Sequence, residues 1–399
     1  MSIFFSTTNR SRSLVCAIIV LAFGKSFANI NVTNLMDSGA GSLRDAINQA
    51  EASAGADQIN FQIGGTLNFS GVLPTINSGI SISSNGFSVT FDGTGASDRA
   101  FLVSSTGSLT LSGLSIQSFS SGASSGGAIR VEGGNLELID SSLTGNASEG
   151  AGGAILLLNS GSAVIQKSTL TGNNGLQGGA IAMSTGSLQL RDSQITNNTA
   201  SLGSSGTTGL AGGILGLSSP TITIENSSIS NNTAENYNGG IYHAGGTLDI
   251  SGSSINGNSA EEAGRDGAGL LVGAGAQVTI TDSEINGNTA ATDGSRGGGI
   301  NAQGETTSVT IERTTIDGNS AEGGGGISAL DATVKVVDST ISNNEATGAG
   351  GGGISANRGQ EIIIENSTIT GNTSATGGGG LVLVAGVSGR VINRYHRFQ

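Results

Sequence analysis

Tryptophan is absent from the 399 residues, tyrosine occurs three times, proline twice and cysteine once, and 11 % of the residues are charged. Each shortage removes a class of protein. With two prolines and no Gly-X-Y period, the 69 glycines fit neither collagen nor a proline-rich linker. The lone cysteine, Cys16, lies in an apolar leader, so neither disulfides nor cysteine-based metal or thiolate chemistry is open to the rest of the chain. The net charge is −13, and no basic stripe offsets it, which excludes nucleic acid as a partner. Scarce rings weigh against a carbohydrate enzyme, since such enzymes stack sugars on aromatic faces. Short Ile, Val and Leu strings recur throughout, so a disordered chain is also disfavoured.

Arg10 and Arg12, the apolar run Leu14 to Phe23 and the site Ser26-Phe27-Ala28 form the three parts of an export signal, with cleavage expected near Ala28. That run is about ten residues, against roughly 20 for a spanning helix, so no transmembrane segment is expected in the mature chain. Loss of Arg10, Arg12 and Lys25 takes the charge from −13 to −16. The expected organisation is a signal over 1–28, a cap and first irregular turns over 29–120, repeats over 121–389, and an atypical tail over 390–399. The tail breaks the repeat markers, as a capping or a truncated end would.

What is present is a repeat. The motif Ser/Thr-x-Ile/Leu-x-x-Asn recurs nine times and ends at Asn146, Asn173, Asn198, Asn232, Asn258, Asn288, Asn319, Asn344 and Asn372, at intervals of 25 to 34 residues. A small-residue pair with an apolar follower comes after each, as in Gly152-Gly-Ala-Ile155 and Gly298-Gly-Ile300. A third segment alternates apolar residues with period two, as in Thr221-Ile-Thr-Ile224. Three short strands per unit cannot bury their apolar faces alone, and coiling one unit per turn solves the problem by stacking like strands at roughly 4.8 Å. The fold class is therefore all-β, a single-stranded right-handed parallel β-helix of roughly a dozen turns. Its inward Ile, Leu and Val form ladders, and its Ser, Thr and Asn face water. Asparagine, tolerant of left-handed backbone, is expected to turn the chain and to bond its amide to the next Asn. Glycine pairs supply positive φ and close approach at the other corner. Between them, loops of varying length project from one edge and carry binding specificity.

Ser42-Leu-Arg-Asp45 has the pattern of a capping box, and Leu43, Ala46, Ile47 and Ala50 share a helical face. A short amphipathic helix here covers the exposed edge of the first turn.

The stretch from Val32 to Ala50, with Gly55-Ala-Asp-Gln-Ile-Asn-Phe61, resembles the N-terminal module of large bacterial right-handed β-helix repeat proteins. The Gly-Gly-Ala-Ile and Ile-x-x-Asn pair is similar to the repeats of polymorphic outer membrane proteins, within the pectin-lyase-like superfamily. That resemblance implies a surface or secreted protein associated with the outer membrane. It departs from those proteins in having Ile or Leu for the Phe of Phe-x-x-Asn and in showing no C-terminal membrane barrel. The superfamily also holds polysaccharide lyases, glycoside hydrolases and adhesins, so fold alone leaves function open.

For catalysis the supply is thin. One histidine, His243, lies in the repeats, within Ile241-Tyr-His-Ala-Gly245, where alternation is expected to face it outward. With Tyr237 and Tyr242 it makes the best candidate binding patch, and it is the one candidate acid-base group. Asp140, Asp192, Asp282 and Asp338 recur as a column broken by Lys167, Asn226, Gly252, Arg313 and Asn366, which reads as a solvated charge ladder. Glu261, Glu262, Asp266 and Asp293 are the candidate ligands should a calcium ion bind; no other cofactor is expected. The clustered Asp pairs, Gly-His-Gly and Arg-x-Lys of pectate lyases or polygalacturonases are absent. The favoured function is an exported scaffold, adhesin-like, contacting an extracellular protein or carbohydrate surface through its loop edge; a polysaccharide lyase or glycoside hydrolase is the alternative.

Overall fold

The computed structural model describes residues 27–392 apart from 54, 204–208, 262–266, 274, 291–293, 359–360 and 385. Most of the expected leader, and the tail beyond 392, lie outside the described residues.

Short strands joined by tight corners wind the chain into a right-handed parallel β-helix. Sheet A holds 14 parallel strands, from Asn29–Val32 to Ser388–Ile392, and sheet B holds 12, from Gly65–Asn68 to Thr368–Thr370. Sheet C holds 11, from Phe101–Val103 to Leu381–Leu383. Alternation decides the core: Ser162–Gln166 buries Ala163 and Ile165, and the strand paired with it, Ser187–Arg191, buries Leu188 and Leu190 in the same register. Such in-register stacking runs through the repeats, and the inward side chains make one continuous apolar cluster. In the first turns the column is aromatic. Phe69 packs on Phe91 and on Phe119 with ring centroids 5.6 Å apart in both pairs. The cap helix spans Leu43–Ala52, and Ser42 accepts from the Asp45 N–H. Its buried face is Leu43, Ala46, Ile47 and Ala50, the face the sequence marks.

The corner asparagines lie inside. Asn258 donates from Nδ2 to Asn288 Oδ1 at 2.9 Å and to the Ile229 carbonyl at 3.0 Å. Its own Oδ1 accepts from the backbone N–H and Nδ2 of Asn232, both at 3.0 Å. All four bonding positions of the amide are used, and Asn173 through Asn344 repeat the pattern at 0–1 % exposure, while Asn146, first in the ladder, accepts from the Phe119 N–H. Two expectations change here. These residues do not face water, and the left-handed backbone falls one residue earlier, at Asn197, Asn231 and Asn343 (φ 54–56°) or at Gly145 and Gly257. The ladder Asn is thereby free to aim its amide inward.

A second ladder was not foreseen. The hydroxyl opening each motif is also buried: the Ser141 N–H donates to Ser168 Oγ at 3.1 Å, and that Oγ donates back to the Gln166 carbonyl at 2.8 Å. The residue before it is left-handed in every turn, so the Asp140, Lys167, Asp192, Asp282 and Arg313 column (φ 46–50°) is a row of corners with side chains directed outward.

Glycine makes room for the amides. A Cβ on Gly299 would stand 2.6 Å from the Gly326 carbonyl oxygen and 3.2 Å from Asn319 Nδ2, and Gly326 and Gly353 meet the next turn in the same way. The two sequence markers are thus in contact across successive turns. From Asn173 onward the residues after each Asn are not loop throughout, as expected, but begin with a two-residue strand. Eight of these, Asn174–Gly175 to Thr373–Ser374, form sheet D, a fourth sheet beyond the three strands expected per turn. The last strand of sheet A, Ser388–Ile392, pairs with Glu361–Glu365 and runs across position 390, where the tail was expected to begin.

Asn258→Ala leaves two donor positions of Asn232 unpaired in a dry corner and takes one bond each from Asn288 Oδ1 and the Ile229 carbonyl, and is expected to cost about 3 kcal/mol or more. Ser230→Ala, on the outer face of sheet B, should stay within about 0.5 kcal/mol. Urea unfolding of the two variants measures the contrast; equal midpoints would remove the ladder from the account of stability.

Candidate functional site

The outer face of sheet B is polar, with Thr169, Ser228 and Thr315 among its outward residues, and that of sheet A mixes polar residues with a few apolar ones such as Val164 and Ile363. Sheet C differs. Its outward column runs Leu156, Ala182, Leu215, Tyr242, Leu271, Asn301. Leu156, Ala182 and Leu215 gather with Ala211 into an apolar cluster outside the main core, with Leu210, Leu217 and Tyr242 packed against it. Described residues of the segments linking sheet D to sheet C, among them Ala211, Gly267 and Gly297, pack over this face as a wall, which is why Leu156, Leu215 and Leu271 are 5 % exposed or less.

Toward the C-terminal turns the wall stands clear of the sheet and leaves a cavity of about 410 Å³. Its floor includes Ser328, Leu330, Ser355 and Val382, and its wall carries Arg296 and Glu322. The Gly294 N–H donates to the Glu322 carboxylate, and the Glu322 N–H donates to Ser295 Oγ at 3.1 Å, so wall segments of adjacent turns hold each other. A shallower hollow lies on the A–B corner beside Asp192, Asp282 and Glu284. There Arg313 grips Asp282 at 2.7 and 2.9 Å and holds its carboxyl below the usual range, chiefly through those hydrogen bonds. That hollow is a charge-paired corner, in keeping with a solvated ladder.

Of the expected patch, Tyr237 and Tyr242 come together. Tyr242 is half-buried on the outer face of sheet C, and burial, then the proximity of Tyr237, raises its phenol above the usual value. His243 does not join them, and its expected outward orientation is reversed: Ile241–Ala244 places Ile241 and His243 in the core. His243 lies beside Gly216 of the preceding turn, where a Cβ would come 3.2 Å from Nδ1, so the missing side chain of Gly216 is the space the imidazole fills. Neither ring nitrogen meets a partner at hydrogen-bond geometry. Burial pushes the imidazole down to about 4, against a smaller opposing effect of the Gly246 backbone. Such a ring is neutral and out of reach of solvent.

The candidate calcium ligands Glu262, Asp266 and Asp293 lie outside the described residues; Glu261 is exposed at the end of a sheet D strand. Among the described residues no three His, Cys, Asp or Glu gather to hold a metal.

Asn238 and Asn301 are buried polar residues on this side of the molecule that sequence reasoning missed. Both are 0 % exposed, and neither amide oxygen nor nitrogen has a partner. Leaving such groups unpaired costs about 1–3 kcal/mol each. Asn301 occupies, turn for turn, the position of Leu271 and Leu215. A polar residue in a leucine register was the available signal, visible only once the turns are aligned.

A model of the right handed beta helix region matches residues 70–306 and 298–394. No curated protein sequence matches the chain. Among solved structures, the periplasmic alginate epimerase AlgG superposes with a TM-score of 0.52 at 9 % identity, over 92 % of this chain and 84 % of that one. A mutant of the same enzyme gives 0.53 at 9 %, over 84 % and 77 %. The surface protein and adhesin PfbA of Streptococcus pneumoniae gives 0.36 at 11 %, over 92 % and 99 %. At these identities the likeness to AlgG is one of fold.

The buried imidazole sets a pH dependence. Its folded value of about 4 lies below the ordinary 6.5, so the unfolded chain takes up the proton first and stability falls with pH through that window. Between pH 7.5 and 5 the loss is expected to be about 2 kcal/mol from this residue. His243→Leu should flatten that limb in urea titrations at the two pH values, and an unchanged slope would show that the ring is not neutral in the core.

Proposed function

The chain belongs to the right-handed β-helix family, and we propose that it is an exported binding scaffold that holds an extracellular partner in the loop-walled groove over sheet C. The observation that carries this reading is the cavity of about 410 Å³ between the wall segments and the sheet C floor. Binding sites are typically concave and mostly apolar, with a few placed polar groups. Leu330 and Val382 supply the apolar part, and Arg296, Glu322 and Asn357 the polar part. A rigid solenoid suits the task, because each wall segment can vary without disturbing the ladders beneath it. The Arg10 to Ala28 signal pattern supports export, and among the described residues no helix is long and apolar enough to cross a membrane.

Catalysis is the second reading. An enzyme would need a proton-transfer group at the groove, and Glu322 is the carboxylate among the described lining residues, whereas His243 is enclosed in the core. The test compares Ser355→Trp and Leu330→Arg, which fill the groove, with Thr169→Arg on the outer face of sheet B. Retention on immobilised extracellular proteins and polysaccharides should fall at least tenfold in the groove variants alone. Equal retention by all three refutes the groove. Release of unsaturated or reducing sugars from alginate or pectin, lost in Glu322→Gln, would establish the enzymatic reading instead.

A further inference from the structure

The geometry points to an extended peptide, apolar along one edge and flanked by Lys or Arg, as the occupant of the sheet C groove, with the side-chain amides of Asn301 and Asn238 bonding its backbone. This rests on the groove being the binding site, and it goes further in naming the partner. Asn301 is in register with Ser328, one strand from the cavity, and points outward because its neighbours Ile300 and Ala302 are in the core. Asn238 lies on the same face two turns earlier: its Nδ2 lies 3.1 Å from where a Cβ on Gly267 would be, next to Leu271, which pairs with Asn301. Both residues leave donor and acceptor unused.

That pairing of vacancies discriminates among ligands. A cation would satisfy the oxygens and oppose the nitrogens, and an anion the reverse. A peptide group offers one N–H and one C=O, and a side-chain amide can bond both. The surroundings favour peptide over sugar. Leu330, Val382 and Val384 line the cavity and the outward leucines continue from it, so alternate side chains of an extended strand find apolar contacts, while no aromatic side chain is among the described residues lining the cavity. A net charge of −13 attracts basic flanks and raises their encounter rate. The corner Ser295–Gly297 now closes over Asn301, with a Cβ on Gly297 only 2.8 Å from the Asn301 Cα, and the bound strand takes the place of that cover. Buried amides without partners lower stability, and sites where local rules are broken in this way are the expected locations of function.

Selection of a random 12-residue phage peptide library on the full chain, with counter-selection on Ser355→Trp, should enrich alternating apolar sequences bearing Lys or Arg. A synthetic consensus peptide, followed by fluorescence anisotropy, should bind Asn301→Leu and Asn238→Leu at least tenfold more weakly and lose affinity as salt rises. The melting temperature of both variants should be unchanged or higher, since each exchanges an unpaired amide for an apolar side chain of similar size. No enrichment, acidic consensus peptides, or undiminished binding by the Asn variants overturns the assignment. A lower melting temperature with unchanged binding overturns it too, and makes the amides structural. Retention of neutral glucans or alginate, sensitive to Ser355→Trp in the absence of any peptide, keeps the groove and discards the peptide; loss of every groove-dependent ligand discards both.

Discussion

The fold depends on a buried amide meeting a glycine. Each ladder Asn needs a dry corner wide enough for its side chain, and that width exists because the facing residue of the adjacent turn lacks a Cβ, as at Gly269 against Asn288 and Gly326 against Asn344. An amide so enclosed must have every bond satisfied, and the only groups placed to do so are its counterparts one turn away and a carbonyl of the sheet B strand beneath. Register follows. A slip of one residue would orphan four polar groups per corner, in addition to turning the apolar ladders outward. The hydroxyl column from Ser141 to Ser367 repeats the device at the other end of sheet B, so every three-residue strand there is pinned at both ends.

With register fixed by corners, the outer surface is released from structural duty. Sheet B shows the default, rows of Ser and Thr meeting water. Sheet C shows the exception, where outward leucines lie under a wall of chain and the wall opens over Ser328 and Ser355. Charge follows the same division. Arg313 and Asp282 pair across left-handed corners far from the groove, while Arg296 and Glu322 stand on its wall.

The coil, the cap helix and the apolar ladders were legible in the sequence because they rest on periodicity and on a capping pattern, both local. Ser42, Leu43 and Ile47 declare their roles within ten residues of one another. What escaped notice needs the turns to be superposed. The Thr-Ala and Ser-Ala pairs following Asn198, Asn232, Asn258, Asn288 and Asn319 announce sheet D, yet two residues carry no period of their own. Alternation within residues 241–245 leaves the face of His243 open to either choice, and it is the empty space at Gly216, 27 residues earlier, that admits the ring to the core. Asn301 reads as an ordinary polar residue until it is set beside Leu271.

Identical corners in every turn make the molecule a ruler graduated in steps of roughly 4.8 Å. Duplicating or excising one whole graduation rejoins the same chemical faces, whereas an insertion of any other length must escape through the wall. Lineages carrying this design can therefore alter reach and recognition as separate quantities, the first by counting turns and the second by editing what protrudes between them.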